Sequence, residues 1–538
     1  MFRGKSRAGR GRSPWDTVGT ERRVLAVART LTSATRVLDA LTVFDGDRRV
    51  EVAFTLHEGS AFSPGAGRFL SEYGAPVIPW RDAARERFDL AVAATSNGAL
   101  HRLRAPLVIM PHGAGHNRIV PSATGRRDVA SGLAPRQLTR WGRPVPALIA
   151  LSHPEQLERL RRSCPAAVGR AAVVGDPCFD RIVGSLPLRE VYRSALGVAP
   201  GQRLTVVSST WGPHSLFAAH VGSLGRWVAD LPVDAHRVAL VLHPNIWGRY
   251  GAPQIRTWLR DALEAGLALI PPEEGWRAAL VAADDLIGDH GSVTYYGAAL
   301  GRPVLLAAFG DAELDPASPL MALRAACPRL ERTRPLHAQL GALHPPRLPG
   351  DILTHHGEAM ANLASALYRT LRLTPPADPP AVPSVPAPVA EKRRVTALTV
   401  EGRAAGPGVE LVRYPAAVRR DELEEPHLVV TAHETDRRLL NSAAVLVRED
   451  VLADPADWTA ATLAARPGAA LAAAALAGGH VRLHFRDGRV LRARGADPAL
   501  CASAVYVATL FDRPADPVLH VRVGGRDIGV ECAADAPP

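Results

Sequence analysis

Short apolar runs alternate with stretches of helical period along most of the chain. From Arg22 onward the runs 24–28, 50–55, 88–93, 107–110, 147–151 and 171–174 are bounded by turn residues, and most are separated by segments patterned at i, i+3 and i+4. That rhythm predicts βαβ units and a mainly parallel sheet. After the turn-rich Gly175, Asp176 and Pro177 a second series begins, at 204–208, 238–242, 267–270, 285–288 and 304–307, which predicts a second lobe of the same kind. A helix with one apolar face over 357–373 closes this part.

Residues 375–388 hold seven prolines in fourteen positions, which neither pair in a sheet nor continue a helix, so an extended spacer is expected. Beyond Arg394 the texture turns to β-strand, with runs at 395–400, 409–413 and 427–431. Two hairpins follow, one turning at Asp487 and Gly488 and the other at Gly524 and Gly525. The expected division is a disordered basic tail over 1–21, Rossmann-like lobes over 22–185 and 186–373, a proline-rich linker over 374–394, and a small α+β accessory domain over 395–538. The fold class is therefore α/β, two parallel-sheet lobes facing a cleft, with an α+β appendage.

Composition narrows the function classes. With 538 residues, 47% apolar and 22% charged, the chain can bury several cores and is not a disordered protein. The longest apolar stretch, 467–479, is mostly Ala and falls short of the roughly 20 residues a bilayer crossing needs. The five cysteines have no metal-type spacing and read as reduced thiols. No secretory signal pattern follows the basic start, so a cytoplasmic location is the default. Of the formal charge of +11, residues 1–23 supply seven basic groups against Asp16 and Glu21, or +5. Such a tail reads as a solvated start or as a weak tether to an anionic membrane surface. Nucleic acid is not an expected partner, since no basic stripe interleaved with aromatics appears later in the chain.

Ligands of two-lobed α/β proteins collect beyond the carboxyl ends of the strands, so residues directly after strands carry the candidate chemistry. The first such segment is His112, Gly113, Ala114, Gly115, His116, Asn117 and Arg118. Here a strand-end histidine suits a base, while Gly113, Asn117 and Arg118 suit an acceptor or phosphate. The second is Ser209, Thr210 and Trp211, and the third is His243-Pro244-Asn245. The fourth is Asp289, His290, Gly291, Ser292 and Val293, where a helix opening after a strand points amides and its positive end at a diphosphate. Each alone is weak, because a His-Gly after a strand is usually a turn and a Ser at a helix start is usually a cap. No metal site is expected.

Taken in order, His112-Gly113, Gly175-Asp176-Pro177-Cys178-Phe179-Asp180, Ser209-Thr210-Trp211, His243-Pro244, Asp289-His290-Gly291-Ser292-Val293 and Gly301-Arg302-Pro303-Val304 resemble the CDP-glycerol glycerophosphotransferases of teichoic-acid synthesis. The resemblance spans about residues 22–370. It implies a GT-B fold, a nucleotide held mainly on the second lobe, and His112 and His243 as the catalytic pair. It further implies a CDP-polyol donor, an anionic glycopolymer or lipid-linked acceptor at the inner membrane face, and no cofactor. The last segment is also similar to nucleotide-sugar 2-epimerases. Both families place an acid where this chain has Tyr296, and the first commonly has a lysine where this chain has Asn117. Two alternatives therefore stand beside the transferase: a GT-B enzyme using a nucleotide sugar, and a catalytically silent GT-B scaffold.

Overall fold

The computed structural model describes residues 17–60, 62–348, 354–420, 422–452, 454–495, 497–513 and 517–534. Most of the expected basic tail lies outside them.

The first lobe is a seven-stranded parallel sheet. Its order across the sheet is Val77–Ile78, Val50–Leu56, Arg22–Ala28, Leu90–Ala93, Leu107–Ile109, Leu148–Leu151 and Ala171–Val173, that is, 3-2-1-4-5-6-7 in chain order. Six of these were legible as apolar runs. The two-residue edge strand was too short to show. The second lobe repeats the order 3-2-1-4-5 with Ala268–Leu269, His236–Leu242, Arg203–Ser209, Asp285–Gly288 and Val304–Leu306. Such an order reverses direction between its first and fourth strands and opens a crevice there at the carboxyl ends. Apolar side chains cover both faces of each sheet, Val24, Val92 and Leu367 on one face of the first and Leu25, Ala91 and Leu133 on the other.

Several helices open on one device, a polar residue followed by proline. Asp176, Asp454 and Asp497 each accept a hydrogen bond from the backbone of the first turn, and Pro177, Pro455 and Pro498 begin the helices. His153 and His243 cap in the same way through their rings.

The helix Ala359–Leu371, expected to close the second lobe, instead packs on the first, with Met360, Leu363, Leu367 and Tyr368 in the core that holds Val24 and Phe44. Its approach needs Gly175, where a Cβ would stand 2.7 Å from Ala359 Cβ and 3.0 Å from Thr354 O. Residues 374–394 run without helix or strand but lie against the second lobe. Val385 is buried in its core, Tyr192 Oη donates to Val385 O at 2.5 Å, and Leu269 and Glu391 exchange both backbone hydrogen bonds.

The accessory region departs from the expected small α+β domain. It is a closed barrel of nine strands, from Ala397–Ala405 round to His427–Thr431, wrapped about the helix Pro498–Leu510. The reason lies in two segments. Leu471–Ala475 (LAAAA) is a fully buried strand whose composition reads as helix, and PALCASAVYVATL is apolar on every face because strands surround it. Arg413 fastens the barrel to the second lobe, donating to both oxygens of Asp234 at 2.6 and 2.8 Å and to Asp497 at 2.8 Å.

Among the described residues no helix is long and apolar enough to cross a membrane, and no His, Cys, Asp or Glu cluster could hold a metal ion.

Candidate functional site

A cavity of about 880 Å³ separates the lobes and takes its walls from both. Six arginines line it, Arg29, Arg36, Arg118, Arg136, Arg140 and Arg277, against only two carboxylates, Asp39 and Glu273. Its formal charge with neutral histidines is therefore +4, and Asp39 is already engaged by Arg277 at 2.8 Å. Such a cavity favours an anion carrying several charges.

His112 follows the strand Leu107–Ile109 and opens onto the cavity. Its Nδ1 lies 3.1 Å from Ala94 O, at the end of the neighbouring strand. A carbonyl oxygen only accepts, so Nδ1 carries the ring proton and Nε2 presents a lone pair. The surrounding protein, and secondarily the Arg36 charge, hold this imidazole below its usual range, in the neutral form.

His243 is the mirror case. As cap of the helix Pro244–Trp258 its Nδ1 accepts the Asn245 N–H at 3.1 Å, so the neutral ring carries its proton on Nε2. Burial first, then the proximity of His112 and Arg118, lower its pKa to about 3. The cleft holds one imidazole that can accept a proton and one that can donate a hydrogen bond.

The loop Gly113–Arg118 is pinned to the second lobe. Gly113 packs so closely on the helix Ser292–Ala299 that a Cβ would come 2.5 Å from Ser292 Oγ, and Ala114 N–H donates to that oxygen at 3.2 Å. Asn117 is buried, donating to Ala114 O at 2.7 Å and accepting from Ser318 Oγ at 2.8 Å. Both ends of its amide are engaged where it lines the cavity. Arg118 lies 4.0 Å over the Trp211 ring, donates to Trp211 O at 2.9 Å and is paired with Glu313. One face of Trp211 is thus covered by a cation, and its ring centroid lies 6.3 Å from that of His243.

Asp289, expected at the nucleotide, sits behind the wall instead. It is fully buried and accepts from Thr210 N (2.9 Å), Leu216 N (2.8 Å), Gly291 N (3.0 Å) and Ser209 Oγ (3.2 Å). Ser209 also accepts from Phe217 N at 2.8 Å. Asp289 shapes the loops from behind, while Ser209, Thr210, Gly291, Ser292 and Val293 line the cavity. No side chain caps the helix Ser292–Ala299, which leaves its first amides to the cleft.

Tyr296 ties the two lobes together. Its hydroxyl donates to Asp176 Oδ2 at 2.5 Å across the lobes, and Asp176 in turn caps Pro177–Gly184 and stands 3.9 Å from Arg36. Glu313 was not foreseen. It lies in a short 3-10 turn with no local signature, yet it joins Arg118 to His290, whose Nε2 is 3.2 Å away.

No protein-family profile matches the chain, and no curated protein does. Solved structures do. The wall teichoic acid polymerase TagF, in a CDPG-soaked form, is 11% identical over 66% of this chain and 89% of its own, with a TM-score of 0.43. Anabaena HepE with UDP and glucose is 13% identical over 65% and 95%, at 0.34. S. aureus MnaA with UDP is 10% identical over 66% and 98%, at 0.38. At scores below 0.5 the fold rests on the strand orders above.

Proposed function

We propose that this chain is a GT-B-type transferase that moves a polyol phosphate from a CDP-activated donor to a hydroxyl of a glycopolymer or lipid-linked acceptor. The observation that carries the reading is the pair of complementary imidazoles, His112 with a free Nε2 lone pair and His243 with an Nε2–H, on opposite lobes of one strongly basic cavity.

In this reaction His112 Nε2 takes the proton of the acceptor hydroxyl as its oxygen bonds to the β-phosphorus. The bond from that phosphorus to the oxygen bridging it to the α-phosphate breaks, and CMP leaves with the electron pair. His243 Nε2–H donates to a phosphoryl oxygen as charge develops on it. The uncapped helix start at Ser292 and the Arg118 guanidinium hold the diphosphate. Positioning and charge neutralisation supply most of what phosphoryl transfer requires.

The test is His112→Asn and His243→Ala, each assayed for CDP-glycerol binding by calorimetry and for CMP release. Binding is retained in both and turnover falls by about 10²–10⁴. Undiminished turnover in both variants removes the mechanism. The donors in the cleft read a diphosphate rather than a particular base, which also fits a nucleotide-sugar enzyme. Release of a nucleoside diphosphate instead of CMP selects that second reading.

A further inference from the structure

Beside the mouth of the cleft the first lobe raises a small two-stranded ribbon, Thr139–Arg140 paired with Arg143–Pro144, whose turn is Trp141-Gly142. Both turn residues have positive φ, 48° at Trp141 and 74° at Gly142. That is a turn geometry favouring Asn, Asp or Gly, not a bulky ring. Trp141 is 89% exposed, the most exposed large apolar side chain among the described residues, and only the Arg140 guanidinium, 4.9 Å from its ring, lies over it. The fold thus holds an indole in solvent, in an unfavourable backbone conformation, with no core to pack on.

The surroundings are cationic. Between Leu90 and Pro154 the sequence has eight arginines, 102, 104, 118, 126, 127, 136, 140 and 143, and a single acid, Asp128, which is spent on Arg126 at 2.6 Å. Arg102, Arg136, Arg140 and Arg143 are exposed. Arg136 lies against the Gly125 turn. His101, Arg136 and Arg140 also line the cavity, so the patch is continuous with its entrance.

We propose that the Trp141 hairpin and the arginines around it dock on the surface of an anionic lipid bilayer, turning the cleft mouth toward the membrane. An indole flanked by guanidinium groups is the composition that settles at the headgroup level. Each arginine there gains from the negative surface potential. Shape decides between a bilayer and a single-stranded polyanion: a polymer strand is gripped in a groove, whereas a convex tip enters a soft, flat surface.

The test is vesicle co-sedimentation of the full chain, with vesicles of phosphatidylcholine alone or with about one-third phosphatidylglycerol. Neither donor nor acceptor is present, so the outcome leaves the transferase reading untouched. The wild type binds the anionic vesicles, and the double variant R102E/R143E, altered at two exposed side chains outside the cavity wall, binds about tenfold less or weaker still. In brominated anionic vesicles a quenched component of the tryptophan fluorescence vanishes in Trp141→Phe. Equal sedimentation of wild type and R102E/R143E, or quenching unchanged in Trp141→Phe, overturns the proposal. So does a wild type that binds single-stranded RNA but not anionic vesicles.

Discussion

Tyr296 donates its hydroxyl proton to Asp176 across the boundary between the lobes, joining the helix that faces the ligand to the helix that follows the last strand of the first lobe. The tyrosine therefore works as a strut between the lobes. Burial and the nearby Asp176 hold its phenol far above the ordinary range, so it stays a donor at any working pH.

Removing the strut leaves a buried carboxylate short of one donor. Tyr296→Phe is expected to cost about 1–3 kcal/mol of stability, measured by urea unfolding. Tyr296→Glu places two carboxylates together in a buried site and is expected to be less stable still, with no gain in nucleotide affinity by calorimetry.

Acid sensitivity should follow from the buried histidines. His116 and His427 have their pKa lowered by burial, to about 3 and about 4, against an unfolded value of about 6.5. Between those limits the unfolded chain binds more protons than the folded one. Each group then removes about 1.4 kcal/mol per pH unit as pH falls below about 6.5, and nothing above it. Urea midpoints measured from pH 7 to pH 4.5 should fall along this slope, and His427→Gln should shallow it.

The same direction of shift at His112 bears on activity. Its base form persists below the usual imidazole range, so the acid limb of kcat/KM should lie below about pH 6.5. A limb at or above that value would contradict the environment described for this ring.

Glu313 holds Arg118 against Trp211 and also meets His290. Glu313→Gln keeps the shape and removes the charge, releasing the guanidinium from its fixed stack. Donor KM is expected to rise about tenfold with a smaller change in kcat, since positioning of a binding cation is what is lost.

Gly113 gives a test by double substitution. Gly113→Ala drives a methyl into Ser292 Oγ, which must separate the loop from the helix start and weaken donor binding. Ser292→Gly in the same chain removes the obstructing oxygen, and binding measured by calorimetry should recover in part. A single Gly113→Ala chain with unaltered affinity would show that the contact has no bearing on the site.

Much of the architecture was legible because parallel strands buried on both faces read as continuous apolar runs, as Leu90–Ala93 and Val304–Leu306 do. The barrel was not, since alanine strands such as Leu471–Ala475 carry no period, and closure depends on pairings far apart in sequence. The strand-end rule brought His112, Thr210, His243 and Ser292 to one cavity. It could not tell wall from backing. Asp289 has the same polar character as its neighbours, and only the direction of its hydrogen bonds shows that it serves the loops. His243 carried a missed signal, since His-Pro before a helix marks a cap as well as a site, and that cap fixes which ring nitrogen faces the ligand.

The backbone exchange between Leu269 and Glu391 makes the proline-rich stretch a fastening as well as a passage. A shortened chain that stops near residue 374 would strip the second lobe of Val385 and bare the rim strand Ala268–Leu269, an unpaired row of amides that invites self-association. An economical two-lobe fragment should instead retain everything through Lys392, whose ammonium reaches Ala195 O.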